Sequence, residues 1–153
     1  LIACLVSAAN AISRYAFDAS SNAWLELQWY LFAGIVLLGA PSVLNTNGHV
    51  RVDIIYAHLS SRGRALIDLL GLLVFLLPVT AFLAWMSWPF FLDAFHSGET
   101  SSNAGGLLRW PVKLLLPVGA FMLVLQGASE VIKRVAFLRG LITLDAHYEK
   151  PLQ

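Results

Sequence analysis

Two stretches of 24 residues, 27–50 and 69–92, contain no Asp, Glu, Lys or Arg. Crossing a bilayer as an α-helix takes about 20 apolar residues. Inside lipid each backbone N–H and C=O must be satisfied within its own segment, so such runs are expected to be helical. Composition points the same way: 12% of the residues are charged and mean hydropathy is +0.72, whereas a soluble domain carries about 25% charged residues. A globule of this size would lack the polar surface to stay in water. We therefore expect an all-α integral membrane protein, a single four-helix membrane domain over 1–153. Its spans fall near 1–16, 22–44, 63–95 and 107–137, with a short interfacial helix in the connection between the second and third.

The first span is the least complete. The chain opens at Leu1 without a methionine, so a short N-terminal piece is expected to precede it, and the uncharged run 1–13 alone is too short to cross. Ala9-Asn10-Ala11 has the small-x-small pattern of a signal-peptidase site. No basic region precedes it, however, and later apolar segments make a separate anchor redundant. It reads as the end of a first transmembrane helix. The second span begins with the N-capping types Ser20, Ser21 and Asn22 and has Glu26 in its first turns, where the helix dipole favours an acid. Trp24, Trp29 and Tyr30 form an aromatic belt at that end, and Pro41 predicts a kink or a frayed final turn.

Asn45-Thr46-Asn47-Gly48 is turn chemistry, and 54–59 is the expected interfacial helix. In the third span Asp68 is the last charge before the hydrocarbon, Pro78 predicts a bend midway, and Trp85 and Trp88 mark the far interface. A helix over 63–95 would be about 50 Å long, so it must tilt or project. The loop 96–106 leads to a fourth span with Pro111 in its first turn and Pro117 deeper. Its uncharged centre, 114–129, is short, and Arg109, Lys113, Lys133 and Arg134 are expected to snorkel outward from its ends. With the amino end inside, seven basic residues (Arg51, Arg62, Arg64, Lys133, Arg134, Arg139, Lys150) face the cytoplasm and three (Arg14, Arg109, Lys113) face out. The positive-inside rule then places both termini in the cytoplasm.

Enzyme chemistry has no foothold in these residues. His49, His58, His96 and His147 lie far apart in polar segments, and Cys4 stands alone in an apolar run, so no metal centre or disulfide is expected. No nucleophile elbow or phosphate loop occurs, no cofactor is implied, and a net charge of +1 offers nothing to nucleic acid. Gly105-Gly106 is a turn before a helix whose amides suit an anion. Glu130 has Lys133 and Arg134 at i+3 and i+4, which predicts a local ion pair. Asn10, Gln28 and Gln126 are polar groups within or near spans and are expected to hydrogen-bond a neighbouring helix. A solute carrier needs ionisable or convergent polar groups near the midplane, and none is present. That absence favours a supporting subunit over two rivals, a self-sufficient small transporter or channel and a membrane-embedded enzyme.

Several short motifs occur in a recognisable order. Asn10-x-x-x-Arg14-Tyr15-x-Phe17 closes the first span and Trp24-x-Glu26-x-x-x-Tyr30-x-Phe32 opens the second. Gly39-Ala40 and Gly48-His49-Val50-Arg51-Val52-Asp53 follow. Ser102-Asn103-x-Gly105-Gly106 then leads into Arg109-Trp110-Pro111-x-Lys113 and Leu116-Pro117-Val118-Gly119. With this order the chain resembles the small membrane subunit, the four-helix "Q" component, of tripartite ATP-independent periplasmic (TRAP) transporters. The loop version, with Glu99-Thr100-Ser101-Ser102-Asn103, is similar to the mannitol/chloroaromatic-type branch.

The resemblance implies a multi-pass protein of the bacterial inner membrane. Its partners would be lipid, a large membrane subunit carrying the sodium and substrate sites, and a periplasmic substrate-binding protein. The transported class would be organic acids. It further implies a large-subunit interface involving Asn10, Arg14, Glu26, Gln28, Gly48, Arg51 and Asp53, and a binding-protein docking region at Asn103, Gly105, Gly106 and Arg109. Two alternatives stay open: Arg51 and Asp53 are either organisers of the connection or simply solvated, and the loop is either a docking element or a solvated turn.

Overall fold

The computed structural model describes residues 1–19, 21–48 and 58–143. Among these the chain forms four helices: α1 (Ile2–Phe17), α2 (Asn22–Asn45), α3 (Ser61–Ser97) and α4 (Trp110–Leu138). The last three are long and apolar enough to cross a membrane, and α1 is a shorter apolar helix of 16 residues. Residues 54–57 of the expected interfacial helix, and Arg51 and Asp53 with them, lie outside the described residues.

The central element is α4, which packs on both α2 and α3, while α1 packs mainly on α2. Small residues make the close approaches. A Cβ on Gly119 would lie 2.8 Å from the Leu37 carbonyl oxygen, and one on Gly127 would lie 2.7 Å from Leu76 Cδ2. The buried hydrophobic residues are small or medium, Ala65, Leu72, Ala94 and Ala120, whereas Phe82, Trp85, Phe121 and Leu125 are exposed on the outer surface. Lipid is as apolar as leucine, so large side chains gain nothing by turning inward, and close backbone packing decides the contact.

Proline does not break the long helices. Pro41, Pro89 and Pro117 lie inside continuous helix. Just ahead of Pro78, where a bend is expected, α3 passes through one wide π-helical turn, Leu72–Leu76, and the Leu77 N–H reaches the Leu72 carbonyl. A proline ring crowds the carbonyl four residues back and supplies no N–H. The wider turn lies directly ahead of that ring. Helix α4 begins later than expected, at Trp110, because residues 98–109 form structure of their own.

Candidate functional site

The α3–α4 connection is a small hairpin. Gly98 ends α3 in the left-handed region (φ 61°), where glycine is favoured. Ser101 N donates to the Leu107 carbonyl at 2.9 Å and Arg109 N to that of Glu99 at 2.8 Å, around an antiparallel bridge between Thr100 and Leu108. The turn closes with Gly106 N donating to the Asn103 carbonyl at 3.0 Å and Gly105 at φ 70°.

This hairpin is fastened to α2. Glu26 is 4% exposed. Its carboxylate accepts from Ser101 Oγ, from Asn103 Nδ2 at 3.0 Å and from Leu107 N at 2.7 Å. One turn earlier Asn22 Nδ2 donates to the Ala104 carbonyl at 3.1 Å, and one turn later Tyr30 Oη donates to that of Leu108 at 3.0 Å. Asn22, Glu26 and Tyr30 are four residues apart, so they stack along one helix face. A Cβ on Gly106 would sit 2.4 Å from Ser101 Cβ and 3.0 Å from Glu26 Oε1, which explains a glycine there. The anion that the sequence allowed for at these amides is supplied from within, by Glu26.

The loop's charges are also paired internally. Lys113 Nζ lies 2.5 Å from Glu99 Oε2 and 4.0 Å from the centre of the Phe90 ring, and Arg109 Nε is 4.0 Å from Glu99 Oε1. Lys113 therefore does not simply snorkel into water. Phe95 meets Trp110 edge-on at 5.5 Å and closes the base. What remains outward is an uncharged tip, with Ser102, Asn103, Ala104 and Gly105 all exposed.

A second polar cluster joins α2, α3 and α4 at the opposite end. Glu130 and Arg134 are 3% and 7% exposed and pair with each other. Arg134 Nε also reaches Asp68 Oδ2 at 3.3 Å, and its NH2 reaches Asn47 Oδ1 at 3.5 Å. Lys133 Nζ bonds Glu130 Oε1 at 2.8 Å and Asn45 Oδ1 at 3.0 Å, and Gln126 Nε2 bonds both at 3.1 Å. The local pair expected from the sequence is present. Arg134, expected to snorkel outward, turns into the bundle instead, because two acids lie on its inner side.

The residues assigned to partner surfaces fall in different settings. Arg14 and Gly48 are exposed at helix ends, Gln28 is half-buried, and Asn10 is buried against the α1–α2 contact. Glu26 faces inward, so it bears on a partner only through the hairpin it holds. Asn103, Gly105, Gly106 and Arg109 all belong to that hairpin. Sequence reading missed Asn22, Tyr30 and Ser101 as its fasteners, and Asp68 and Asn45 as members of the second cluster. The polar stripe 22, 26, 30 on an apolar helix was the available signal for the first group. Among the described residues no three His, Cys, Asp or Glu side chains gather as a metal site.

The family model for the DctQ component of tripartite ATP-independent periplasmic transporters matches residues 3–137. No curated protein matches the chain.

Proposed function

This chain belongs to the family of the DctQ component, the small membrane component of tripartite ATP-independent periplasmic transporters, and from that premise we propose that it serves sodium-coupled, binding-protein-dependent uptake of organic acids by bracing the large membrane subunit and helping to dock the periplasmic binding protein. A tripartite system of this kind implies both partners, and a transporter component is not an enzyme. The hairpin's Glu99–Asn103 segment ahead of Arg109 and Pro111 supports the mannitol/chloroaromatic-type branch.

The observation that carries the bracing role is the distribution of ionisable groups. On α4 none lies between Lys113 and Glu130, and on α2 none follows Glu26. The buried charged groups gather at the two ends and are already paired there. Among the described residues no ionisable group lies in the hydrocarbon layer, which argues against a solute site within this chain. Its exposed apolar faces suit lipid and a larger membrane protein. Arg14 and Gly48, exposed at helix ends, are available to the large subunit; Asn10, Gln28, Arg51 and Asp53 belong to the same proposed interface. Both termini lie on the cytoplasmic side in this reading, with the hairpin outside.

Affinity purification of the tagged chain in mild detergent tests the proposal. A large hydrophobic permease should co-purify, and Arg51→Ala should weaken that association. Solute flux through vesicles holding this chain alone would overturn the bracing role.

A further inference from the structure

The family relationship leaves the buried carboxylate of α2 without a task. We propose that Glu26 is a positioning residue: by accepting Ser101 Oγ, Asn103 Nδ2 and Leu107 N it holds the 98–109 hairpin in the single shape that the periplasmic binding protein engages. This rests on the docking role proposed above for the hairpin.

Three features separate this arrangement from ordinary loop closure. Helix–helix connections in bundles commonly need only about 2–8 residues, so a longer, internally bonded hairpin exceeds what joining α3 to α4 requires. Burying a carboxylate is costly unless donors surround it. Here all three donors come from the hairpin, so the charge is satisfied only when the hairpin has this shape. Finally, Glu99 pairs with Lys113 and lies 4.0 Å from Arg109 at the base of the hairpin, and the exposed tip at 102–105 carries no charged residue. The tip itself can engage a partner only through hydrogen bonds and close contact from fixed positions. Fixing those positions beforehand lowers the ordering cost of binding. Asn22 and Tyr30 add bonds to the Ala104 and Leu108 carbonyls from the same helix face.

The test uses the complete transporter in vesicles, with uptake measured as the binding protein is titrated. Glu26→Ala should raise the half-saturating binding-protein concentration about tenfold or more, as expected when a pre-organised surface becomes mobile. The rate at saturation should fall less than twofold, with the large subunit still co-purifying. Ala104→Trp, which blocks the tip without removing a bond to Glu26, controls for the docking role itself. If Ala104→Trp leaves half-saturation unchanged, the docking role is wrong. If it raises half-saturation and Glu26→Ala does not, docking stands and the positioning role is overturned. Should Glu26→Ala fail to assemble, Ser101→Ala and Asn103→Ala each remove one donor; smaller increases from both support the proposal, and no change from either overturns it.

Discussion

Glu130 and Arg134 stand four positions apart on α4, the spacing at which side chains meet on one helix face, and both are buried. Spacing predicts the pair; it says nothing of Asp68, Asn45 and Asn47, which arrive from other helices and convert a local bridge into a three-helix joint. Breaking a buried pair by removing one partner costs about 3–5 kcal/mol, because the other charge is left uncompensated, whereas replacing both by apolar groups is often nearly neutral. Lys133 keeps its bond to Glu130 in Arg134→Met, so that variant should lose part of this amount and reduce the yield of monodisperse protein in detergent, and Glu130→Met/Arg134→Met should recover most of it. A double variant no better than the single would show that the joint acts through Asp68 and the asparagines, not through the pair.

At the scale of the element, the packing seam explains the π-helical turn. Buried positions on α4 recur at Ala120, Gly127 and Arg134, seven apart. On α3 the same interval separates Ala65 from Leu72, and again Thr80 from Ser87 and Ala94, but Leu72 and Thr80 are eight apart. A repeat of seven keeps one face of a helix on its partner. The extra residue would rotate the second half of α3 away from α4 by about 100° in a regular helix. The wide turn at Leu72–Leu76 absorbs it, and Pro78 marks the place. Deleting Val74 together with Pro78→Ala should then close the turn to regular helix and keep the seam, giving folded protein. Deleting Leu83 should misalign Ser87 and Ala94 and give little. Equal yields from the two deletions would remove the seam as the cause. The four helices were legible in the sequence because lipid imposes a simple rule, length without charge. The π-turn was not, because Pro78 signals only that the helix is disturbed nearby, and the register of α3 on α4 sets the form the disturbance takes.

For the whole molecule, the paired charges of the described residues form two layers with a band free of ionisable groups between them. On α4 the stretch without ionisable groups separates Lys113 from Glu130, seventeen positions or about 26 Å. On α2, Glu26 of one layer and Asn45 of the other are nineteen positions or about 28 Å apart. Both values approach the hydrocarbon thickness of about 30 Å, so the layers sit at the two membrane surfaces. The hairpin's residues were legible as a polar loop, but its fastening was not, since Glu26 lies some eighty residues from its donors and only the α2–α4 contact brings them together. The orientation proposed above, with the hairpin outside, rests on charge. The layer holding Glu130 also carries Arg62, Arg64 and Arg139 near its helix ends, whereas the hairpin side carries Arg14, Arg109 and Lys113, the last two beside Glu99. Basic residues near span ends are retained on the cytoplasmic side, so the hairpin should be outside. In a Cys4→Ala background, needed because Cys4 is exposed, Ser102→Cys should react with a membrane-impermeant maleimide added to intact spheroplasts. Arg139→Cys should react only after the membrane is opened. The reverse pattern would invert the topology, and with it the hairpin would be placed where no periplasmic protein can reach it.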